Sequence, residues 1–155
     1  DSTGKVRSFE INIPAGIESG KSIRLKGKGR PGAGEPGDLM LKVRVAEKPG
    51  YRREGQDIYT SVKIPFTTAV FGGEVQIGTI YGKVLCKVKP GTQSGTKIRL
   101  KGKGIVFMND RSRHGDQYAV VEIDVPQNLS PEAKKKLREF EEICAGRKKH
   151  DGAAA

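Results

Sequence analysis

Two glycine-rich segments resemble phosphate-binding loops, so nucleotide binding is the first chemistry to consider. Residues 16–22 read GIESGKS, but a phosphate-binding loop has four residues between its glycines and this segment has three. Residues 27–32 match the dinucleotide pattern GxGxxG, which works only where a strand passes into a helix. Prolines and further glycines follow here, which do not start a helix. We therefore expect neither segment to bind a nucleotide, and we expect no cofactor.

The side chains most often used in catalysis and metal binding are few and scattered. The chain has two histidines, His114 and His150, and two cysteines, Cys86 and Cys144. The histidines lie in a charged loop and a polar tail, with no nucleophile and carboxylate in a recognisable local pattern. These ligands are also too few for a four-ligand zinc site. The sequence thus predicts no enzyme and no metal site.

Composition narrows the class of protein further. The 155 residues carry 29 basic and 18 acidic side chains, a net charge of +11, and only 35% are hydrophobic. No apolar run approaches the ~18 residues of a membrane span, and no secretory signal is visible. Two distant cysteines are more consistent with free thiols in a reducing cytoplasm than with a disulfide framework. The basic charge leaves nucleic-acid binding as the alternative function, although few aromatic residues lie among the lysines to stack on bases.

The strongest internal signal is a repeat. Residues 14–29 read PAGIESGKSIRLKGKG and residues 89–104 read KPGTQSGTKIRLKGKG, with ten of sixteen positions identical. Each copy runs on to a Gly-Asp pair, ending at Asp38 or Asp116, and then into an apolar strand. The repeat predicts two related units in tandem, the first of them cut short. The position of the two aspartates predicts that they cap turns and do not catalyse.

Alternating apolar residues between turn signals favour a mainly β chain. The alternation covers residues 9–13, 39–45, 58–64 and 121–125, and residues 66–71 fit one short helical turn. We expect two tandem small β-sandwich domains, the first truncated, with one C-terminal α-helix. The predicted organisation is a partial first domain over residues 1–53, a second domain over 54–126, a helix within 127–145 and a disordered tail over 146–155.

The C-terminal helix is clearly marked. Ser130 suits the N-cap, Pro131 suits the first helical position, and Gly146 is a natural stop. A narrow apolar stripe runs along the helix through Ala133, Leu137, Phe140 and Cys144. The stripe could pack on its own domain or meet the same face of a second copy.

Several motifs in this order are similar to the C-terminal substrate-binding region of the Hsp40 (DnaJ) co-chaperones. They are the repeated segments up to GKG, the PGDL after the first copy, KPGYRREGQDI over residues 48–58 and AVFGGE over residues 69–74. In the family, the segment that corresponds to residues 48–58 usually reads His-Pro-x-Phe-x-Arg-x-Gly-x-Asp-Leu. This chain has Lys48 in place of the histidine, Tyr51 in place of the phenylalanine and Ile58 in place of the leucine. The resemblance covers roughly residues 4–143.

The resemblance implies a protein that holds unfolded polypeptide clients and delivers them to an Hsp70 partner. It implies two β-rich domains and a dimerising helix, here through Leu137, Phe140 and Cys144. From the sequence itself we expect no membrane partner and no nucleic-acid partner, with nucleic-acid binding kept as the alternative function. It places Tyr51 in the groove of the first domain, and in the second unit Val75 and Ile77 become weaker candidates for peptide contact. Core packing is the alternative for all three. The J domain and the zinc repeats of the family are absent from this sequence, and so are the opening strands of the first domain.

Overall fold

The computed structural model describes the backbone of residues 4 and 6–153 and the side chains as far as Gly146. Over these residues the chain forms ten strands and two helices. They are β1 Ser22–Leu25, β2 Leu39–Lys42, β3 Arg52–Glu54, β4 Asp57–Pro65, α1 Phe66–Phe71, β5 Gly73–Thr79, β6 Gly82–Val88, β7 Lys97–Leu100, β8 Val106–Phe107, β9 Asp110–His114, β10 Gln117–Asp124 and α2 Pro131–Ala153. The prediction of a mainly β chain with a C-terminal helix is confirmed, as is the short helix α1.

The strands form small sheets. A four-stranded sheet has the order β3-β4-β10-β7, and three two-stranded sheets pair β1 with β2, β5 with β6, and β8 with β9. The first compact unit of the chain ends at Ile123 and the second begins at Asp124. The finer division of the first unit near residue 53 stays a prediction.

The two copies of the sequence repeat fold in the same way. In each copy a four-residue strand pairs antiparallel with the strand that follows the Gly-Asp pair, in the same register. The end pairs are Ser22 with Lys42 and Leu25 with Leu39 in the first copy, and Lys97 with Val120 and Leu100 with Gln117 in the second. The two similar sequences thus form hairpins with the same register.

Each hairpin is closed by its aspartate. Asp116 Oδ1 accepts a hydrogen bond from the backbone N–H of Gly102 at 2.8 Å, and Oδ2 accepts one from Arg99 Nε at 2.9 Å. In the first copy, Asp38 accepts from the backbone N–H of Gly27 at 2.8 Å and from Arg24. The backbone N–H, and after it the arginine, lowers the pKa of both carboxyls because it favours the charged form. Both aspartates are turn caps, as predicted.

The hydrophobic core lies between the four-stranded sheet, α1 and the β5–β6 hairpin. Ile64 and Ala119 are completely buried at its centre. The buried members are Val62, Ile64, Ala69, Ile77, Val88, Leu100, Ala119 and Val121. They come from β4, α1, β5, β6, β7 and β10, so this core belongs to the second copy of the repeat and the strands around it.

One predicted strand is absent. Residues 9–13 alternate like a strand, but they form no ladder, and Ile13 is 58% exposed. A strand is stable only when another strand accepts its backbone hydrogen bonds, and no strand among the described residues lies beside this segment. The alternation of apolar and polar residues indicates which side chains could be buried. It does not show whether a neighbouring strand is present to pair with the segment.

The C-terminal helix begins as predicted and ends later. Ser130 Oγ accepts a hydrogen bond from the backbone N–H of Ala133 at 3.1 Å, which confirms the N-cap. The helix continues through Gly146 to Ala153, so the predicted end at Gly146 and the tail beginning there are wrong as far as residue 153. A glycine inside a helix costs only about 1 kcal/mol relative to alanine, which the backbone hydrogen bonds of adjoining turns can offset.

Removing the charge of a turn cap is expected to destabilise the fold. Asp116→Asn weakens the bonds to Gly102 and Arg99, and we expect the free energy of unfolding at pH 7 to fall by about 1 kcal/mol. Because the folded-state pKa is lowered, the contribution of Asp116 is full above about pH 5 and is lost as the pH falls through that pKa. Urea unfolding at pH 7 and pH 3 measures this difference, which should shrink at pH 3.

The exposed Asp124, at the end of β10, offers the control. Asp124→Asn should leave the free energy of unfolding nearly unchanged at both pH values. Equal effects of the two substitutions would contradict the capping role of Asp116.

Candidate functional site

Strand β4 has an edge that is only partly covered. Its neighbour β3 pairs with it only through Asp57–Tyr59, with Arg52 opposite Tyr59 and Glu54 opposite Asp57. β4 runs on to Pro65, and no strand of the described residues pairs with residues 60–65 on the side away from β10. We call this side of residues 60–65 the open edge of β4.

The direction of the backbone groups along β4 follows from one hydrogen bond. The N–H of Ile58 donates to the carbonyl of Asp116 at 2.9 Å, so the backbone groups of Ile58 point toward β10. Successive residues of a strand direct their N–H and C=O groups to opposite sides. The backbone groups of Ser61 and Lys63 therefore point to the open edge, where an added strand could pair with them.

Side chains alternate on β4 as well. Ile58, Val62 and Ile64 are buried and define the inner face of the sheet. Tyr59, Ser61 and Lys63 lie on the opposite, outer face. The open edge thus separates a face that packs on the core from a face that meets solvent.

Tyr51 is held beside this edge by a tight turn over Lys48–Tyr51. The N–H of Tyr51 donates to the carbonyl of Lys48 at 3.0 Å, and Pro49 and Gly50 occupy the two central positions. Gly50 has φ of 81°, the left-handed value that the second central residue of a type II turn requires. Lys48 Nζ lies 4.9 Å from the centre of the Tyr51 ring, a cation–π contact that orients the side chain.

Three concavities meet at Tyr51. The inner concavity, of about 330 Å³, lies between Thr60–Lys63 of β4 and Gln76–Gly78 of β5. The outer concavity, of about 740 Å³, lies between the turn that carries Tyr51 and the side chains of Tyr59 and Val120. A third cavity of about 410 Å³ is lined by both charged and aliphatic side chains, the latter including Val45, Ile80 and Ile105. Tyr51 lines all three, so it stands at the junction of the surfaces around the open edge.

The other two predicted peptide contacts are placed differently. The side chain of Ile77 is 3% exposed and packs in the core, while the residue also borders the inner concavity, so its assignment to peptide contact stays a prediction. Val75, opposite Cys86 in the β5–β6 hairpin, is half-buried and packs against the same core. Core packing, the alternative considered for both, describes their positions. Alternation along β5 predicts that Val75 and Ile77 lie on the same face of the strand. It does not predict that β5 packs against β4.

Gln117 holds β5 against β4 from inside. Its side chain is fully buried, and Nε2 donates to Thr60 Oγ1 at 3.0 Å and to the carbonyl of Gly78 at 2.9 Å. A buried amide that satisfies two acceptors on neighbouring strands sets their spacing. The walls of the inner concavity are therefore fixed by a contact that the sequence pattern did not reveal.

Arg53 joins the first copy of the repeat to the strands of the second. Its guanidinium donates to the carbonyls of Ile17 at 2.8 Å, Gly16 at 2.9 Å and Gly55 at 2.7 Å. Gln56 Nε2 donates to the carbonyl of Gly16 as well, at 3.0 Å. Sequence reasoning missed this role, although the arginine stands in the strip over residues 48–58 that carried the resemblance.

The predicted dimerisation residues lie on the surface of the second unit. Leu137 is 42% and Phe140 is 47% exposed, and Cys144 is exposed beside them on α2. Large apolar side chains on one helix face are a common feature of association surfaces. The assignment to dimerisation stays a prediction.

Two partly buried titratable groups, Tyr81 and Cys86, have raised pKa values. Tyr81 Oη donates to the carbonyl of Gly104 at 2.6 Å and lies 2.8 Å from His114 Nδ1, and partial burial raises the pKa of Tyr81. Burial also raises the pKa of Cys86, which keeps its thiol protonated and unreactive. Among the described residues no group of three or more His, Cys, Asp or Glu is arranged to hold a metal ion, and no helix is long and apolar enough to cross a membrane.

Comparisons with known proteins agree with the geometry of the repeat. A family model for the DnaJ C terminal domain matches residues 2–126. The chain belongs to the DnaJ C-terminal domain family. It is 41% identical over 146 residues to the chaperone protein DnaJ of Lachnospira eligens, covering 93% of this chain and 39% of the relative. It is 44% identical over 141 residues to that of Caldicellulosiruptor saccharolyticus, covering 90% of this chain and 36% of the relative. The chain therefore spans about two fifths of the length of these DnaJ proteins.

Loss of the Arg53 guanidinium is expected to loosen the joint between the two repeats of this DnaJ domain. Arg53→Gln removes charged hydrogen bonds to three carbonyls, and we expect the free energy of unfolding to fall by about 2–3 kcal/mol. Amide hydrogen exchange should rise most around residues 16–20. The neighbouring Arg52→Gln is the matched control, because Arg52 is exposed and its replacement should change stability by less than about 0.5 kcal/mol. Similar losses for both variants would contradict the proposed joint.

Proposed function

We propose that this chain binds extended segments of non-native polypeptides along the open edge of β4, as the client-binding part of a DnaJ co-chaperone. The observation that carries the proposal is an unpaired strand edge that lies between two concavities and beside Tyr51. Binding by strand addition uses the backbone of the client, which every polypeptide possesses. A site of this kind accepts many sequences, as a chaperone must.

The edge offers the groups that strand addition needs. Ser61 and Lys63 direct their N–H and C=O groups outward, and the stretch over residues 60–65 is long enough to pair with several client residues. A covered edge would have to open before it bound a peptide. The short length of β3 avoids this step, because β3 ends its pairing at Tyr59.

The surroundings of the edge can take client side chains without a deep pocket. Tyr51 offers an aromatic ring at the junction, and the third cavity adds the aliphatic side chains of Val45, Ile80 and Ile105. Shallow surfaces of about this size bury part of a side chain and bind weakly one at a time. Weak, sequence-tolerant contact suits a protein that must later release its client.

We further propose that the full-length protein passes bound clients to an Hsp70 partner in the cytoplasm. The support is membership in the DnaJ family, whose relatives are named chaperone protein DnaJ. We also propose that α2 pairs with a second copy through Leu137, Phe140 and Cys144. A two-fold pairing would place two client sites in one particle, and a long client that reached both would bind with higher avidity.

The role of Tyr51 can be measured with a labelled peptide. The probe is a fluorescent seven-residue peptide of alternating valine and glutamine, which has high β-propensity and no charged side chains. Tyr51→Ala should weaken its binding about tenfold, because the client loses an aromatic surface worth about 1.4 kcal/mol. Fluorescence anisotropy gives the dissociation constants.

Two further variants test the same site. Phe71→Ala is the matched control, because Phe71 is 76% exposed on α1 and lines none of the three concavities, and it should leave binding unchanged. Ser61→Pro removes an edge N–H at a position where a folded strand tolerates proline, and it should weaken binding. Circular dichroism shows whether each variant is folded. Unchanged binding by folded Tyr51→Ala and Ser61→Pro would refute the open edge as the site.

Dimerisation through α2 predicts a different outcome for a charge on its apolar stripe. Phe140→Asp should shift the chain from dimer to monomer in analytical ultracentrifugation, because a buried carboxylate would lack a partner. Lys135→Asp introduces the same side chain on the opposite side of α2 and should leave the dimer intact. A chain that sediments as a monomer before any substitution would refute the pairing.

A further inference from the structure

We propose that this site selects extended client segments that carry carboxylate side chains at alternate positions, with Arg52 as the group that binds them. The inference rests on the proposed function, since it assumes a client paired with the open edge of β4. It adds a preference that strand addition alone does not supply. The evidence lies in the charges that border the edge on its two faces.

A client strand on this edge would divide its side chains between the two faces of the sheet. Pairing with Ser61 and Lys63 continues the pleat, so every second client side chain points to the outer face. The others point to the inner face, toward Gln76 and Gly78. The two sets of client side chains therefore meet different surroundings.

The outer concavity is lined by two hydrogen-bond donors with positive charge. Lys48 and Arg52 line it together with Tyr59 and Ser61, and Glu47 is the one carboxylate in its lining. Lys97 lies close by, with Nζ 5.6 Å from the centre of the Tyr59 ring. The lining carries two positive charges and one negative charge, so its own net charge of +1 is opposite to that of a carboxylate.

Arg52 lies over an aromatic ring on the outer face of the sheet. Its guanidinium carbon lies 4.7 Å from the centre of the Tyr59 ring. The Tyr59 ring stacks in turn on Tyr118, with centroids 5.2 Å apart and planes 23° from parallel. A guanidinium stacked on an aromatic ring keeps its in-plane N–H groups for bidentate bonds to a carboxylate.

The present ion pair of Arg52 is weak enough to be exchanged. Arg52 Nη1 lies 3.6 Å from Glu54 Oε1, and the two side chains are 66% and 57% exposed. Exposed pairs at such distances contribute little, typically below about 1 kcal/mol. A client carboxylate that made two shorter bonds to the guanidinium would compete with Glu54 effectively.

The same stack argues for a carboxylate over a nucleic-acid base. Tyr59 already contacts Tyr118, Arg52 and Lys97, so its ring is not open for a base to stack on. Burial, as the main cause, raises the pKa of Tyr59, so its hydroxyl remains a donor at neutral pH. The face therefore offers donors to an anion and little ring surface to a base.

The inner face sets no such preference. Its concavity is bordered by Tyr51, Thr60, Gln76 and Gly78, which are uncharged, and the charged Lys63 side chain lies on the outer face by alternation. Client side chains that point inward can be of any uncharged type. The preferred client segment therefore alternates carboxylates with uncharged residues.

Three labelled peptides test the preference. Each has seven residues in which valine alternates with glutamate, glutamine or lysine, and anisotropy is measured at ~50 mM and ~500 mM salt, where screening is weak and strong respectively. At low salt the glutamate peptide should bind about tenfold tighter than the glutamine peptide, and the lysine peptide weakest of the three. The advantage should shrink at high salt. Arg52→Gln should abolish this advantage, so that the glutamate and glutamine peptides bind the variant with equal affinity.

The control is Arg111→Gln, which removes the same charge from exposed β9, outside the lining of the outer concavity. It should preserve the advantage of the glutamate peptide. Equal affinity for the glutamate and glutamine peptides would overturn the inference, as would equal effects of Arg52→Gln and Arg111→Gln. Displacement of the glutamate peptide by single-stranded DNA of equal charge, at equal affinity, would also overturn it in favour of a general polyanion surface.

The outcomes separate this inference from the proposed function. If the glutamine peptide binds in a manner sensitive to Ser61→Pro but the glutamate peptide gains nothing, strand addition stands and the selectivity falls. If the glutamate peptide keeps its full affinity for Ser61→Pro, carboxylates reach Arg52 without pairing to the edge and the inference is refuted, while the proposed function is still judged by the glutamine peptide. If no peptide binds, the proposed function fails first and the inference with it.

Discussion

The guanidinium of Arg53 is the contact on which the candidate site depends. It donates hydrogen bonds to the carbonyls of Gly16 and Ile17 in the first copy of the repeat and to the carbonyl of Gly55 in the turn between β3 and β4. One side chain thereby holds the first copy against the start of β4. Charged hydrogen bonds to three carbonyls are directional, so they fix orientation as well as distance. Tyr51, the last residue of its turn, precedes Arg53 by only two residues. The hydrogen bonds of Arg53 therefore also position this turn.

The repeat stabilises the fold, whereas the open edge leaves one side of a strand unpaired. In each copy, an aspartate neutralises an arginine and satisfies a backbone N–H, so the hairpin closes without relying on a large core. The core itself is small and lies under β4, β10 and the β5–β6 hairpin. β3 is too short to cover β4, which leaves backbone groups at Ser61 and Lys63 for another chain. The proposed strand addition rests on this combination of a stable frame and an incompletely paired sheet.

Several elements could be predicted because their causes are local. Asp38 and Asp116 follow glycines at equivalent places in a repeat, and both cap turns. Ser130 precedes a proline and an apolar stripe, and it caps α2. The segment over residues 9–13 has the alternation of a strand and forms none, because a strand also needs a neighbour. Ile77 has the right type for a peptide contact, yet β5 turns it into the core.

The sequence alone was enough to predict the duplicated hairpin, the capped helix and the membership in the DnaJ family. Each of these depends on residues close together in the sequence or on a motif. The sequence named Tyr51 as a member of the candidate site, but it did not show that the site lies along the edge of β4. Which side of β4 stays unpaired depends on where β3 stops, and the stacking of Arg52 on Tyr59 depends on two strands meeting in register. These hydrogen bonds and ring contacts join segments that are far apart in the sequence, and they form only when the sheet is assembled. The pattern of residues within any one segment therefore cannot predict them.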